Sequence, residues 1–405
     1  MMMATFRLLC VMEATTVTGP GKNLLNFCRL ARSPHFQAAM GARVEVSIVT
    51  FHRRGGPSYH NGQERQELDD SPNSFVEAAR AQGVEVDVIE ERFCFDPRVI
   101  WELRRLVRSR APHIIQTHMV KSHFLVKLSG LDRRYAWVAY HHGYTTTDWK
   151  MVAYNQLNRW TLPSAARVIT VCSPFAEELS RTGVSADRIV ICHNSVVAPR
   201  LVTDKERQAL REKLGVADNA RVVLAVGRLS REKGHADLVS ALAILRGLNS
   251  ELKWKLVIVG DGPERERSER VARAKGVDGC VLFVGHISDV DPYYAIADAL
   301  VLPSHSEGSS NVLLEAMVAG LPVVAAAVGG VPEIVADERS ALLVPPGDVG
   351  KFAAALNRLL TDAPLARRLV AGAARAVAGF SPESYASRLV KIYSELVPSV
   401  SGPAK

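Results

Sequence analysis

Short runs of apolar residues, many of them β-branched, alternate with longer amphipathic stretches along the whole chain. In the first half, the apolar runs lie near residues 6–13, 44–51, 84–90, 114–118, 137–142, 167–172 and 188–193. In the second half, they lie near residues 221–229, 254–260, 281–286, 299–303, 322–327 and 341–345. This alternation is typical of parallel β-sheets whose strands are joined by crossover helices. The sequence therefore predicts an α/β fold of two doubly wound, Rossmann-like domains in series.

A polar segment with Pro199 and one helix-like stretch separates the two series of predicted strands. We predict a linker at 198–218, between an N-terminal domain at 1–197 and a C-terminal domain at 219–378. In open α/β sheets, ligands bind beyond the carboxyl ends of the strands. We therefore expect the two domains to face a central cleft that holds the ligand.

The tail at 379–405 contains a helix start signal. Ser381 is a candidate N-cap, Pro382 follows at the first helical position and Glu383 lies in the first turn. These residues predict a C-terminal helix, which we expect to pack back towards the N-terminal domain.

The lengths of the apolar runs and the spacing of the cysteines indicate the cellular compartment. Every apolar run is shorter than the roughly 18 residues that a membrane span requires. The first run is interrupted by Glu13 and is too short for the apolar part of a secretory signal. The six cysteines are scattered, with no Cys-x-x-Cys pair: Cys10, Cys28, Cys94, Cys172, Cys192 and Cys280. We therefore expect a cytoplasmic protein with reduced thiols and no structural zinc.

The formal net charge of +8 on 405 residues comes from the first half of the chain. Residues 1–200 carry 25 Lys and Arg against 18 Asp and Glu, whereas the remainder carries 25 against 24. A basic half suits nucleic acid, an anionic membrane or an acidic substrate. Since no nucleic-acid-binding motif is present, we expect no nucleic-acid partner. Peripheral contact with anionic lipid at the inner face of the cell membrane stays open, as do soluble partners.

Basic residues follow the first predicted strand of the second half. After "VVLAVG" comes "RLSREKG", which places Arg228 and Lys233 on a strand-to-helix turn. Fixed cations beside a helix N-terminus suit a diphosphate, because the free N–H groups and the helix dipole add to the side-chain charge. A solvated loop is the alternative.

The next two predicted strands end in small residues. Gly260 and Gly262 bracket Asp261 in "VGDGP", and glycines here would let the backbone approach a ligand closely. The following exit, "VGHIS", places Ile287 where it could contact a flat nucleobase. A plain tight turn explains the glycines equally well.

The segment "SHSEGSSNVLLEAMVAG", residues 304–320, contains two carboxylates after another predicted strand. Ser309 or Ser310 can cap the helix that follows, which puts Glu307 just before the helix and Glu315 about one turn inside it. Either carboxylate could accept hydrogen bonds from the vicinal hydroxyls of a sugar. The alternatives are favourable charge at a helix N-terminus for Glu307 and a solvent-facing position for Glu315.

Four motifs occur in one order and spacing: "VGRLSREKG", "VGDGP", "EGSSNVLLEAMVAGLPVVA" and "GGVPEIV". Together they resemble the nucleotide-sugar half of glycosyltransferase family four, whose members are retaining enzymes with the two-domain GT-B fold. The resemblance is strong over residues 221–346 and extends to the whole chain in architecture.

The resemblance implies roles for the matching residues. Arg228 and Lys233 would hold the donor diphosphate and stabilise the charge of the leaving group. Glu315 would bind the ribose, and Glu307 would contact the donor sugar. The backbone N–H groups of the loop would orient sugar and phosphate; these belong to Gly308, Ser309, Ser310 and Asn311. The family's "EGFG" type of loop is here "EGSSN", which leaves the sugar open.

The resemblance also implies that no cofactor and no metal are needed, since basic residues neutralise the diphosphate. An Asp-x-Asp pair does occur, at Asp289 and Asp291. It lies on the approach to a predicted helix rather than at a strand end, so we interpret it as incidental.

The N-terminal half resembles the family more loosely, and the resemblance implies that this domain, 1–197, binds the acceptor. In "AYHHGY", His142 matches the family's His-Gly position at the cleft and would touch the donor sugar or help to place the acceptor. His141 should point the other way, because strand side chains alternate. His118 ends another predicted strand and is a second candidate, on the acceptor side. A structural histidine is the alternative for each.

A glycine pair follows the first predicted strand, in "TVTGPGKNLLNF". It is not a phosphate loop of the Walker type, because no Gly lies five residues before Gly21 and Asn23 replaces the hydroxyl residue. The family usually has adjacent glycines in this loop, which closes over the donor phosphate. The matching residues here are Gly19 and Gly21, with Pro20 between them.

These expectations combine into one functional hypothesis. The chain would be a metal-independent, retaining hexosyltransferase that moves a hexose from a UDP- or GDP-sugar to a hydroxyl of a glycan or lipid-linked acceptor. Cell-envelope polysaccharide or lipopolysaccharide synthesis would be its setting. The alternatives are a non-catalytic nucleotide-sugar sensor and another GT-B enzyme, such as a sugar-nucleotide epimerase.

Overall fold

The computed structural model describes residues 4–53, 58–60, 63–65, 73–93, 96–143 and 149–397. Contacts between residues divide the chain into two units. The first unit comprises the chain up to Ser58, Gln66–Ser195 and the part from Ser381 onwards. The second unit comprises Tyr59–Arg65 and Val196–Phe380. Cys94 lies outside the described residues.

The first unit is built on a seven-stranded parallel sheet. Its strands are β1 (Ala4–Met12), β2 (Ala42–Arg53), β5 (Glu85–Glu91), β6 (Ile114–His118), β7 (Ala136–His141), β8 (Arg167–Thr170) and β9 (Ile189–Ile191). They lie in the order β5-β2-β1-β6-β7-β8-β9. The short strands β3 (Ser58–His60) and β4 (Gln63–Arg65) form a separate two-stranded sheet that the apolar pattern did not predict.

Helices cover both faces of this sheet. They are α1 (Gly19–Ala31), α2 (Pro34–Met40), α3 (Ser74–Ala81), α4 (Arg98–Arg110), α5 (Val120–Leu128), α6 (Trp149–Thr161), α7 (Ser173–Arg181) and α16 (Pro382–Leu396). One core contains Leu8 and Cys10 of β1 with residues of α1, α2, α3 and α16. The other contains Leu9 and Val11 with residues of α4, α5 and α7. Because successive side chains of a strand point to opposite faces, a continuous apolar run is what a doubly covered strand requires.

The C-terminal helix begins where the sequence predicts. The hydroxyl of Ser381 accepts a hydrogen bond from the backbone N–H of Ser384 at 3.1 Å, and Pro382 is the first helical residue. The helix packs on α1 and is part of the first unit. The Tyr393 hydroxyl lies 2.5 Å from Oε1 of Gln116 in β6, which ties the helix to the sheet.

The second unit is built on a six-stranded parallel sheet. Its strands are β10 (Arg221–Val226), β11 (Trp254–Val259), β12 (Val281–Gly285), β13 (Ala299–Leu302), β14 (Val323–Ala326) and β15 (Leu342–Val344). Its helices are α8 (Asp204–Lys213), α9 (His235–Leu248), α10 (Arg265–Ala274), α11 (Asp291–Ile296), α12 (Asn311–Val318), α13 (Val331–Ile334), α14 (Val349–Thr361) and α15 (Ala363–Val377). The strand order is β12-β11-β10-β13-β14-β15. The predicted α/β class is confirmed, with two Rossmann-like parallel sheets.

The stretch 198–218, which the sequence predicts as a linker, differs from that prediction. It is grouped with the second unit, and its helix α8 packs beside α11. Leu210 and Leu214 supply the reason, because both pack against the apolar core of the second unit. Apart from Tyr59–Arg65, which is grouped with the second unit, the chain passes between the units at Ser195 and again at Phe380.

Each sheet has a point at which the strand order reverses. In the first sheet this switch point lies between β1 and β6, and in the second it lies between β10 and β13. The loops that leave neighbouring strands there diverge to opposite faces, which opens a crevice at the carboxyl ends. Among the described residues, no helix is long and apolar enough to cross a membrane.

Candidate functional site

An ion pair occupies the switch point of the second sheet. Lys233 lies on the turn after β10 and Glu307 on the loop after β13. The Lys233 Nζ atom is 2.7 Å from Oε1 of Glu307. The structure therefore brings together one cation and one carboxylate that the sequence assigned to separate contacts.

The turn that carries Lys233 lies directly against the residues that follow β13. Gly234 has φ +67°, and a Cβ atom at this position would lie 2.2 Å from the carbonyl oxygen of Pro303. The backbone N–H of His305 donates to the carbonyl of Glu232 at 2.7 Å. Since glycine alone tolerates both this φ and this approach, Gly234 fixes how close the lysine comes to the second loop.

Glu307 is held in place from several sides. Its exposed fraction is only 6%, and the Ser304 hydroxyl donates to Oε1 at 2.7 Å. Its backbone carbonyl accepts from the N–H of Gly330 at 3.3 Å. Gly329 has φ +53°, and a Cβ there would lie 1.7 Å from that same carbonyl oxygen. A buried carboxylate with a cation and a hydroxyl donor is a stable arrangement, because its charge is compensated.

Sequence reasoning missed Ser304, Gly329 and Gly330 as site residues. The glycines belong to "GGVPEIV", which was recognised as a motif, yet only the fold shows that it crosses over the Glu307 loop. The position of Ser304 directly after a strand was the available signal.

Arg228 lies on the same turn as Lys233 but points elsewhere. It is exposed. Within the part of the chain that the structure describes, its guanidinium has no hydrogen-bond or ion-pair partner. The structure thus leaves this cation at the surface of the turn and does not join it to the pair.

Gly260 and Gly262 have a structural reason that the sequence does not show, while their contact with the donor stays a prediction. A Cβ at Gly260 would lie 1.9 Å from the carbonyl oxygen of Gly227, and one at Gly262 would lie 2.4 Å from that of Leu229. The Leu229 N–H also donates to the carbonyl of Asp261 at 3.0 Å. The glycines are therefore required by the close approach of the turn after β10, so they shape the site through that turn.

Glu315 lies one turn inside α12 and is half-buried. The hydroxyl of Tyr294, in α11, donates to its Oε2 atom at 2.8 Å. Burial is the main cause that raises the pKa of Tyr294 well above its usual value, and Glu315 adds to it. The tyrosine therefore stays a neutral donor that orients the carboxylate, and sequence reasoning gave no signal for it.

The loop before α12 is largely buried. Ser310 is the N-cap, with its hydroxyl 3.5 Å from the backbone N of Leu313, and Ser309 is also buried. Gly308 and Asn311 are partly exposed, and the buried Oδ1 atom of Asn311 has no hydrogen-bond partner among the described residues.

Ile287, after β12, packs against the same apolar core as α11 and α12. It is partly exposed, so part of its side chain remains at the surface. The core contact fixes its position beside α11, which also carries the Tyr294 that holds Glu315.

In the first unit, three aromatic rings stack at the ends of β6 and β7. The centroids of His118 and Tyr140 are 4.5 Å apart, and those of Tyr140 and His142 are 5.8 Å apart. Burial lowers the pKa of His142 to about 4 and holds that of His118 well below its usual value. Both rings are therefore neutral at physiological pH and act as hydrogen-bonding groups rather than cations.

His141 lies on the opposite face of β7, as strand alternation predicts. Its Nδ1 atom is 3.3 Å from the Asn158 amide nitrogen in α6, and its ring meets that of Phe175 edge to face. Its pKa is lowered to about 3, mainly by burial. The structure makes His141 part of the packing between sheet and helices.

Gly19 and Gly21 lie in the first turn of a helix rather than in a loop, and their contact with the donor phosphate stays a prediction. Helix α1 begins at Gly19, directly after Thr18, with Pro20 in its first turn. Proline suits this position, because the first turn of a helix has no use for its missing N–H. A Cβ at Gly21 would lie 3.3 Å from the ring of Phe75, which packs against it.

The Asp-x-Asp pair has a structural partner. Nε of Arg200 donates to Asp289 Oδ2 at 2.9 Å, and its backbone N–H donates to Asp291 Oδ2 at 2.9 Å. Both carboxylates thus anchor the chain that leads into α8. Among the residues that the structure describes, no group of three or more possible metal ligands is found.

Two family models match the chain. The model of "Glycosyl transferases group 1" matches residues 206–376, which lie in the second unit. The model of the "Glycosyl transferase 4-like domain" matches residues 32–195, most of which lie in the first unit.

Curated relatives include the D-inositol 3-phosphate glycosyltransferase of Stackebrandtia nassauensis, 37% identical over 213 residues. These residues are 50% of this chain and 47% of the relative. The 2-deoxystreptamine N-acetyl-D-glucosaminyltransferase of Streptomyces fradiae is 34% identical over 60% of this chain and 59% of its own length. The matches therefore span about half of the length of these relatives.

Solved structures agree with the fold. HepE of Anabaena, in complex with UDP and glucose, has a TM-score of 0.77 at 19% identity, over 96% of this chain and 100% of its own. A glycosyltransferase from Rickettsia africae has a TM-score of 0.74 at 17% identity, over 97% and 99%. The two family models, in register with the two sheets, and the GT-B architecture of these structures show that the chain belongs to the family-four type of GT-B glycosyltransferases.

Proposed function

We propose that the chain is a retaining hexosyltransferase that uses a UDP- or GDP-sugar as donor and a hydroxyl group as acceptor. One observation carries this proposal: the Lys233–Glu307 pair lies at the switch point of the second sheet, with its lysine 2.7 Å from the carboxylate. A switch point is where open α/β sheets bind their ligands. A cation beside a buried acid can serve a phosphate on one side and sugar hydroxyls on the other.

In this proposal Lys233 neutralises the diphosphate as the bond to the sugar breaks. A fixed charge stabilises the leaving group most where charge develops in the transition state. Arg228 lies exposed on the same turn, free to add a second contact once the diphosphate arrives. No metal is needed for this task, so we propose a metal-independent reaction.

Glu315 and Glu307 would contact different parts of the donor. Glu315, oriented by Tyr294, would accept hydrogen bonds from the ribose hydroxyls. Glu307, held by Ser304 and Lys233, would accept from hydroxyls of the transferred sugar.

Retention of configuration follows from attack on the face that the nucleotide leaves. The bond between the anomeric carbon and the phosphate oxygen breaks, and the acceptor oxygen forms its bond on that same face. The acceptor proton passes to the departing phosphate. The protein then supplies orientation and charge stabilisation, without a pair of catalytic carboxylates.

The neutral His142 suits a supporting role in this reaction. Since its pKa is about 4, it can donate or accept a hydrogen bond near neutral pH. We propose that it contacts a donor-sugar hydroxyl or places the acceptor, with His118 behind it in the ring stack.

The names of the relatives guide the choice of acceptor. They specify D-inositol 3-phosphate for one relative and 2-deoxystreptamine for another, and both are small ring compounds. We therefore extend the proposed acceptors from cell-envelope glycans and lipopolysaccharide to polyhydroxylated rings. UDP and glucose in the HepE structure support the class of donor.

The function is tested by incubating the chain with a panel of UDP- and GDP-sugars, with and without acceptors of each class. We expect acceptor-dependent release of one nucleoside diphosphate, unchanged by EDTA. NMR of the product should show the same anomeric configuration as the donor. A protein that binds a nucleotide sugar without turnover under every condition would be a sensor, and the proposal would fail.

Tyr294→Phe tests the orientation of Glu315. Loss of this hydrogen bond should raise the nucleotide Kd about fivefold, because a less well oriented carboxylate loses part of the about 1.5–3 kcal/mol that a hydrogen bond to a charged group contributes. Tyr293→Phe is the matched control, because Tyr293 is also buried in α11 and its hydroxyl has no partner among the described residues. Isothermal titration measures both variants. Equal affinities for the two would show that the tyrosine does not orient the site.

A further inference from the structure

The Phe and Trp side chains that are exposed among the described residues all belong to the first unit. Trp101 is 77% exposed in α4, Phe93 is 55% exposed just before it, and Trp160 is 52% exposed in α6. A single exposed apolar side chain is normal on a soluble protein, whereas a group of them marks an interaction surface. Their concentration on the helices of one sheet face therefore indicates an interaction surface.

Helix α4 has one buried face and one exposed face. Val99, Leu103 and Val107 are fully buried against the sheet. Trp101 lies two positions from the first two of these, about 200° around the helix, so it points to solvent. Nothing in the fold of the first unit requires a tryptophan here.

The exposed stripe of α4 is basic. Arg105 and Arg108 follow Trp101 at spacings of four and seven, which place all three on one face. Within the described residues, neither guanidinium has an ion-pair or hydrogen-bond partner. Glu102 is the single acidic residue of the helix.

Other arginines of α4 bind groups within the first unit. Arg98 pairs with the buried Asp96 at 2.7 Å, and Arg110 pairs with Asp87 at 2.9 Å. Nε of Arg104 donates to the carbonyl of Ser129 at 2.9 Å, which brings the end of α5 beside the middle of α4. The contrast shows that Arg105 and Arg108 are free to bind something outside the chain.

The surface continues from α4 onto the neighbouring helices. Leu128, next to the Ser129 contact, is 47% exposed. Nζ of Lys127 lies 4.3 Å from the ring centroid of Trp160, and Arg133 is exposed just beyond. Over residues 98–134 the chain carries nine Lys and Arg against two Asp and Glu.

We propose that this basic aromatic face, made of Trp101, Arg105 and Arg108 with Leu128 and Trp160, docks on an anionic lipid bilayer. Tryptophan rings favour the interface between headgroups and water, and unpaired arginines bind lipid phosphates. The face is distinct from the donor site of the second unit, so the proposal does not depend on the enzymatic activity. A peripheral contact of this kind would hold the chain near acceptors carried on lipid.

Vesicle co-sedimentation of the full chain tests the proposal. The probes are vesicles of phosphatidylglycerol with phosphatidylcholine, compared with phosphatidylcholine alone. We expect binding to the anionic vesicles, which falls as salt is raised. Each of Arg105→Ala and Arg108→Ala should weaken partition about fivefold, as expected for about 1 kcal/mol per basic residue. Trp101→Ala should weaken it about tenfold, through loss of its interfacial ring.

Matched controls are Leu248→Ala and Arg273→Ala, which remove an exposed apolar and an exposed basic side chain of the second unit. Both should bind vesicles like the wild type, and circular dichroism should show that every variant is folded. Equal binding to both kinds of vesicle, or no binding at low salt, would overturn the proposal. Vesicle binding of the Trp101→Ala variant at the wild-type level would also overturn it. So would light scattering that shows a dimer of the wild type and a monomer of this variant, because the face would then be a contact between two copies of the chain.

Discussion

Lys233→Ala is expected to lower kcat for sugar transfer by roughly 10²- to 10³-fold, the range found when one preorganised charge-stabilising group is removed. Lys233 is the cation at the switch point, and it is placed there by the turn that Gly234 seats on Pro303. Without it, the leaving diphosphate would lose its nearest fixed charge. The buried Glu307 would also keep only its bond from Ser304. Steady-state kinetics with the donor identified by the panel measure the loss.

Arg231→Ala is the matched control for this loss. Arg231 belongs to the same turn, carries the same charge and is exposed. We expect it to keep kcat within about twofold, as for an exposed charge remote from the chemistry. Circular dichroism should show both variants folded. Equal effects of the two substitutions would mean that only the general charge of the turn matters, which would contradict the assigned role.

Glu315→Gln is expected to raise the nucleotide Kd about 10- to 100-fold, because hydrogen bonds to a charged group contribute about 1.5–3 kcal/mol. The amide keeps the shape of the side chain and can still accept from Tyr294. The change therefore removes charge and acceptor capacity toward the ribose with little loss of packing. Equilibrium titration of UDP and GDP measures the shift.

Glu307→Gln should have the opposite effect on binding and transfer. Its carboxylate faces Lys233 rather than α11, so nucleotide affinity should change little while transfer slows. The two glutamates thus serve as controls for each other. If Glu307→Gln weakened nucleotide binding and Glu315→Gln slowed only the transfer step, the division of roles would be reversed.

The strands of both sheets are predictable because each is a short apolar run covered on both faces. Strand β6, for instance, is predicted and observed at residues 114–118. Helix caps are equally local, and Ser381 shows that a serine followed by proline determines where a helix begins. The motif resemblance then supplies the order of the elements in the second unit.

Contacts between distant loops are not local, and there the sequence was insufficient. The Lys233–Glu307 pair joins residues 74 positions apart, and only the switch-point topology brings them together. The structural reason for Gly260 was not predictable, because the carbonyl of Gly227 that excludes a side chain there comes from another loop. The helix start at Gly19 was missed because Pro20 favours a turn and a helix start alike.

The central claim is that the loops of the second unit bind the nucleotide part of a sugar donor. It is tested most directly by titrating UDP and GDP into the wild type and into a variant that combines Lys233→Ala with Glu315→Gln. We predict one nucleotide per wild-type chain and an affinity more than about 100-fold weaker in the double variant, since the lost contacts are separate. Wild-type affinity in the folded double variant would contradict the account.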